Sequence, residues 1–163
     1  TKSQSIGVIG THATIQSNAY GKKLKSIRPK INIFNQSCPL FVPLVEEGLT
    51  KGPITKLIVE SYLSHFKSTD VDTLILGCTH YPILTAVIKE VVGKNISLVD
   101  SGKATAEVVM EVLNKKGLLS EDSNGGVYSF VTDSKESFQK VINKALTPEI
   151  NISIKSINRI DIG

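Results

Sequence analysis

The 163 residues predict an α/β fold: a parallel sheet flanked by helices on both faces. Short apolar runs alternate with segments of helical period, and several runs are apolar throughout instead of alternating in polarity. A strand of that kind is buried on both sides, as in a parallel sheet whose crossovers are helices.

Residues 6–10 read as a short buried strand. Residues 11–26 read as a helix with a thin apolar face (Ala13, Tyr20, Leu24, Ile27), ended by Pro29. Residues 31–34 alternate as a half-buried strand, and Cys38-Pro39 and Pro43 punctuate a loop running into a turn at 44–49. Pro53 suits the first turn of the next helix, whose apolar positions are Ile54, Leu57, Ile58 and Tyr62. A strand at 73–76 follows, then a helix with Leu84, Val87, Ile88 and Val91 at 3-4 spacing, stopped by Gly93. Residues 96–99 form the next strand and close on Asp100-Ser101-Gly102, a turn and N-cap for a helix bearing Val108, Val109, Val112 and Leu113. After Gly117 comes a polar loop at 120–126, expected to be disordered, and a strand at 127–131. Asp133 and Glu136 form a capping box for a helix with Phe138, Val141, Ile142 and Leu146. The alternating tail at 149–163 reads as an edge strand.

Forty per cent hydrophobic and 21% charged residues describe a soluble globular chain, with no run long enough to span a bilayer. The opening residues carry no signal-peptide pattern, and two cysteines are too few for a disulfide scaffold. Both features fit a reducing, cytoplasmic setting. Thr1 in place of an initiator Met fits an excised piece as well as a mature protein. His12, His65 and His80 lack finger-like spacing, so no metal site is expected. Gly7 and Gly10 do not complete a dinucleotide fingerprint, so no dinucleotide is indicated. The net charge of +4 is densest at Lys22, Lys23, Lys25, Arg28 and Lys30. That cluster reads as a solvated helix face, and neither nucleic acid nor membrane is expected as a partner.

Chemistry concentrates at Gly77-Cys78-Thr79-His80, at the carboxyl end of a strand, where α/β folds bind ligands. A helix N-terminus behind Cys78 would favour the reactive thiolate. Thr79 offers a hydroxyl and an amide to a substrate carboxylate, and His80 can exchange a proton with the thiol or orient it. A buried Cys with a capping Thr and a surface His is the structural alternative. Cys38 reads as packing. Of Glu46 and Glu47, one faces solvent and the other can back His80. Thr11 and Thr14 either donate to a ligand or cap a helix.

Three stretches then form a recognisable pattern. Gly77-Cys78-Thr79-His80-Tyr81-Pro82 resembles the second catalytic-cysteine motif of the glutamate racemase family. Residues 7–20, Gly-Val-Ile-Gly-Thr-His-Ala-Thr-Ile-Gln-Ser-Asn-Ala-Tyr, resemble the opening of that family's second domain. Residues 38–48, Cys-Pro-Leu-Phe-Val-Pro-Leu-Val-Glu-Glu-Gly, resemble its Pro-Leu-Val-Glu segment, and Val99-Asp100-Ser101-Gly102 follows in order.

The resemblance implies cofactor-independent interconversion of L- and D-glutamate for peptidoglycan, with two cysteines working from opposite faces of the substrate. It makes Cys78 one of that pair, assisted by His80 and by Glu46 behind it. Thr79, His80, Thr11 and Thr14 become substrate contacts. The family's earlier Asp-Ser-Gly, Pro-Tyr-Gly and Cys-Asn-Thr motifs do not precede these stretches, and neither Asp100-Ser101-Gly102 nor Cys38-Pro39 replaces them. The expectation is therefore a C-terminal portion: a second α/β domain at 1–100, and a segment at 101–163 that packs on a missing N-terminal domain. Alone, such a piece is expected to be inactive, to expose apolar helix faces beyond 101 and to form a homo-oligomer. A non-catalytic amino-acid-binding or protein-interaction module, or another amino-acid racemase, is the alternative.

Overall fold

Four parallel strands lie side by side in the order β2-β1-β3-β4. They are β1 (Ser5–Gly10), β2 (Asn32–Ser37), β3 (Thr73–Leu76) and β4 (Ser97–Asp100). The structure is a computed structural model and describes residues 1–121, 126–145 and 154–161. β1 is central and all six of its residues are buried, as an unbroken apolar run requires. Ile9 stands level with Gln36 on β2 and Leu76 on β3, so three strands finish together. Two positions beyond that level, Thr11, Cys38 and Cys78 are delivered to the carboxyl end of the sheet.

Helices cover both faces. On one, Ile6, Val8 and Ile31 are covered by Ile15 of α1 (His12–Ser17) and by Tyr20 and Leu24 of α2 (Ala19–Ile27). On the other, Ile9, Leu74 and Leu76 meet α3 (Phe41–Glu46), α4 (Pro53–Leu63) and α5 (Thr85–Val92). Phe41, Val59, Leu63, Leu84 and Ile88 are fully buried there. At about 1.5–3 kcal/mol for each large apolar side chain, this second core is the main anchor of the site-bearing unit.

The chain divides into two compact units, Thr1–Val108 and Val109–Gly163. In the second, β5 (Val127–Val131) pairs in parallel with β6 (Ile154–Arg159), and α7 (Lys135–Ala145) lies between them in sequence. Among the described residues no helix is long and apolar enough to cross a membrane. α6 (Ser101–Lys115) buries none of its residues and leaves Val108 and Met110 well exposed. Tyr128 and Phe130 of β5 are exposed too.

Several local readings change. The helix expected over 11–26 is two helices, because Asn18 takes a left-handed conformation (φ 51°) that closes α1 and opens α2. The loop and turn expected up to residue 49 hold a true helical segment, α3, which takes in the first half of the 44–49 turn and in which Pro43 at the third position has no amide needed inside so short a helix. The inward stripe of α4 is Thr55, Val59 and Leu63, with Ile58 and Tyr62 beside it, whereas Ile54 and Leu57 face out. Thr55 can be inward because its hydroxyl donates to the carbonyls of Leu49 and Lys51. At α7 the cap is Ser134, not Asp133: its hydroxyl accepts from Ser137 N and donates to Glu136, while Asp133 accepts from Ser134 N. Leu146, residues 122–125 of the polar loop and the start of the tail to 153 lie outside the described residues.

Candidate active site

Gly77 sets the site's position. Its amide donates to the carbonyl of Ile9 at 2.8 Å, carrying the β1–β3 ladder one step past the strand. A Cβ placed there would lie 2.8 Å from that carbonyl oxygen and 3.1 Å from the ring of Tyr20. Glycine is needed for close approach of backbone to backbone, and the next residue is thereby pinned beside the end of β1.

The chain does not enter an α-helix at Cys78, as the sequence suggested. A turn through Thr79 and His80 leads to a single 3-10 turn (Tyr81–Leu84), and α5 begins only at Thr85. Pro82 in that 3-10 turn lacks an amide, and the Cys78 carbonyl accepts from Tyr81 N instead. The turn folds His80 back towards the thiol. Cys78 Sγ lies 4.0 Å from His80 Nδ1, and His80 Nε2 lies 3.6 Å from Glu46 Oε1 at the end of α3. Thiol, imidazole and carboxylate therefore stand in a line, with the two ring nitrogens facing different partners. Cys78 and His80 are half-buried, and Glu46 and Glu47 are exposed. Such a line can hold a thiolate against an imidazolium, or return a proton to sulfur.

Beneath it, Tyr81 is fully buried and donates its hydroxyl to the carbonyl of Cys38 at 2.9 Å. Its ring stands edge-on to Phe41, which stands edge-on to Tyr62. This tie joins the loop carrying Cys78 to the segment leading into α3 and Glu46. Tyr81 has no role in the sequence pattern beyond its place in the motif; the signal for one is an aromatic with a polar tip beside an apolar run. Burial raises the Tyr81 phenol and pushes the Cys38 thiol up to about 12. Cys38 is fully buried, so it is a packing residue, as its apolar surroundings suggested.

Thr11 caps α1: its hydroxyl accepts from Thr14 N at 3.3 Å and lies 3.0 Å from the Thr14 hydroxyl. Thr14 also packs beside Gly77, where its methyl would stand 3.5 Å from an added Cβ. Both threonines thus border the Cys78 turn. Thr79 is exposed, and its hydroxyl has no partner among the described residues.

By fold and site the chain is an α/β domain with a thiol, an imidazole and a carboxylate gathered at the carboxyl ends of its strands. No protein-family model matches the chain. Curated relatives do. It is 46% identical over 147 residues to a glutamate racemase of Geobacter metallireducens, covering 90% of this chain and 54% of the relative. It is 41% identical over 156 residues to one of Aquifex aeolicus, covering 96% and 58%. In structure it matches glutamate racemase isoform RacE1 of Bacillus anthracis with a TM-score of 0.85 at 34% identity, covering 99% of this chain and 59% of that one. A Francisella tularensis glutamate racemase in complex with D-glutamate matches with a TM-score of 0.82 at 30% identity, over 97% and 58%. The chain is a homologue of glutamate racemases, and it spans about half the length of the curated relatives it matches.

Proposed function

We propose that the chain is the C-terminal portion of a glutamate racemase and supplies one face of its active site. The observation that carries this reading is the line Cys78–His80–Glu46 beside an unpartnered Thr79, in a chain whose relatives are glutamate racemases. One thiolate removes the α-proton of bound glutamate, leaving a carbanion stabilised by the adjacent carboxylate. A thiol on the opposite face then delivers a proton to the same carbon. One C–H bond breaks and one forms, with no net oxidation and no cofactor consumed. Cys78 is the acid or base on one face, depending on the direction of reaction. His80 shares its proton, Glu46 steadies the imidazolium, and Thr79 with Thr11 and Thr14 takes the substrate's polar groups. The opposing cysteine belongs to the remainder of the parent protein, on which residues from 101 onward pack. The parent's role is D-glutamate supply for peptidoglycan in the cytoplasm.

The test is turnover by the purified 163-residue chain, read as optical rotation and as loss of the α-proton signal in deuterated water. With one thiol, slow exchange at the α-carbon without inversion is expected. Adding the missing half of the parent should restore inversion, and Cys78→Ser should abolish both. Inversion by the chain alone that survives Cys78→Ser would overturn the proposal.

A further inference from the structure

We propose that the outer face of α2 is a docking surface for an anionic phospholipid bilayer. The first 45 residues hold Lys2, Lys22, Lys23, Lys25, Arg28 and Lys30 and not one of the chain's 15 acidic residues, the first being Glu46. The positive net charge therefore originates wholly in this stretch. α2 turns Tyr20, Gly21 and Leu24 towards the sheet. At 3.6 residues per turn, Lys22 then projects from the opposite side and Lys23 and Lys25 from its two flanks, and all three are exposed. Arg28 and Lys30 continue the exposed cations just beyond the helix. None of the five has an ion pair or side-chain hydrogen bond among the described residues. Five cations without a partner among the described residues, spread over the solvent side and flanks of α2 and the turn after it, are a local excess of charge.

The partner follows from what accompanies the charge. Ile27 sits among these cations and is 66% exposed. A bilayer surface accepts both groups, cations at the headgroups and an apolar side chain just below. Duplex nucleic acid offers no such apolar layer. A single strand would need aromatic platforms, and the one aromatic of α2, Tyr20, is half-buried against the Gly77 turn. Each basic residue near an anionic surface strengthens partition roughly fivefold, so the patch gives weak, reversible and salt-sensitive binding. The proposal departs from the expectation, drawn from sequence, of no membrane partner. It stands independently of the racemase reading.

The experiment is co-sedimentation of the 163-residue chain with vesicles of phosphatidylcholine containing about 30% phosphatidylglycerol, beside pure phosphatidylcholine, at low and high salt. Binding to the anionic vesicles alone is expected, falling at least about fivefold between roughly 50 and 300 mM salt. Joint Lys22→Glu, Lys23→Glu and Lys25→Glu substitution should weaken it more than about tenfold, and Ile27→Ser by a smaller factor. If the reversed variant loses its native far-UV dichroism, the three Lys→Gln changes replace it, with the same direction expected. Equal binding to neutral vesicles, indifference to the lysine changes, or tighter binding to duplex DNA than to anionic vesicles at equal phosphate would overturn the proposal.

Discussion

His80 stands between two partners: its Nε2 is 3.6 Å from Glu46 Oε1, and its Nδ1 is 4.0 Å from Cys78 Sγ. The Glu46 side chain is 57% exposed, so the pair is worth at most about 1 kcal/mol. Glu46→Gln should therefore slow alkylation of Cys78 by iodoacetamide at neutral pH by no more than roughly fivefold. His80→Asn removes the proton partner itself and should cost on the order of tenfold or more. Equal rates in all three proteins would show that the line does not act on the thiol.

The two cysteines should separate cleanly in reactivity. Cys78 is half-buried at the sheet edge, whereas Cys38 is fully buried and its thiol is pushed up to about 12. Intact mass after brief alkylation should show one adduct on the native chain and two after denaturation. Cys78→Ser should remove the native adduct. A native adduct on Cys38 would contradict this assignment.

Tyr81→Phe keeps the ring on Phe41 but leaves the Cys38 carbonyl without its donor. A loss of about 1–2 kcal/mol is expected in urea melts, together with faster Cys78 alkylation as the loop loosens. Tyr81→Ala opens a cavity at the centre of the core and should cost about 3–5 kcal/mol. A Phe variant as stable as the original would mean that the Cys38 carbonyl finds another donor.

Gly77→Ala drives a methyl to within 2.8 Å of the Ile9 carbonyl, a backbone atom that cannot swing aside. The β1–β3 step must part or the Cys78 turn must shift. A cost of roughly 1–3 kcal/mol is expected, with a change in Cys78 alkylation rate larger than that caused by Glu46→Gln. Gly52→Ala has open space around its Cβ but a φ of 98°, so it should destabilise without touching Cys78 reactivity. If both substitutions change the thiol alike, Gly77 has no special hold on it.

Alkaline pH should expose the buried thiol's preference. The folded Cys38 thiol is raised from 9.0 to about 12, so its contribution is complete below pH 9 and is lost as pH rises towards 12. Over that window stability should fall by up to about 1.4 kcal/mol per pH unit from this group, with Tyr81 acting in the same direction. Cys38→Ala should flatten the slope of urea-derived stability between pH 9 and 11. An unchanged slope would assign the alkaline loss to other groups.

What the sequence determined by itself was periodicity and local chemistry. The unbroken run at 6–10, the 3-4 spacing at 84–91 and the Gly77-Cys78-Thr79-His80 junction sufficed for the parallel sheet, its two helical layers and the placement of Cys78 at a strand end. Those features depend on near neighbours in the chain. Other features were decided only by tertiary structure. Asn18 breaks a helix because a left-handed residue lets α2 turn Tyr20 and Leu24 onto the sheet. Thr55 faces the core because the carbonyls of Leu49 and Lys51 lie within its reach, while the more apolar Ile54 and Leu57 are left outside. The tie from Tyr81 to Cys38 crosses 43 residues, and the approach of Glu46 to His80 crosses the whole of α4 and β3. Contacts of that span carry no local spacing to read, because they exist only once the two cores have packed and brought separate strand ends to one level.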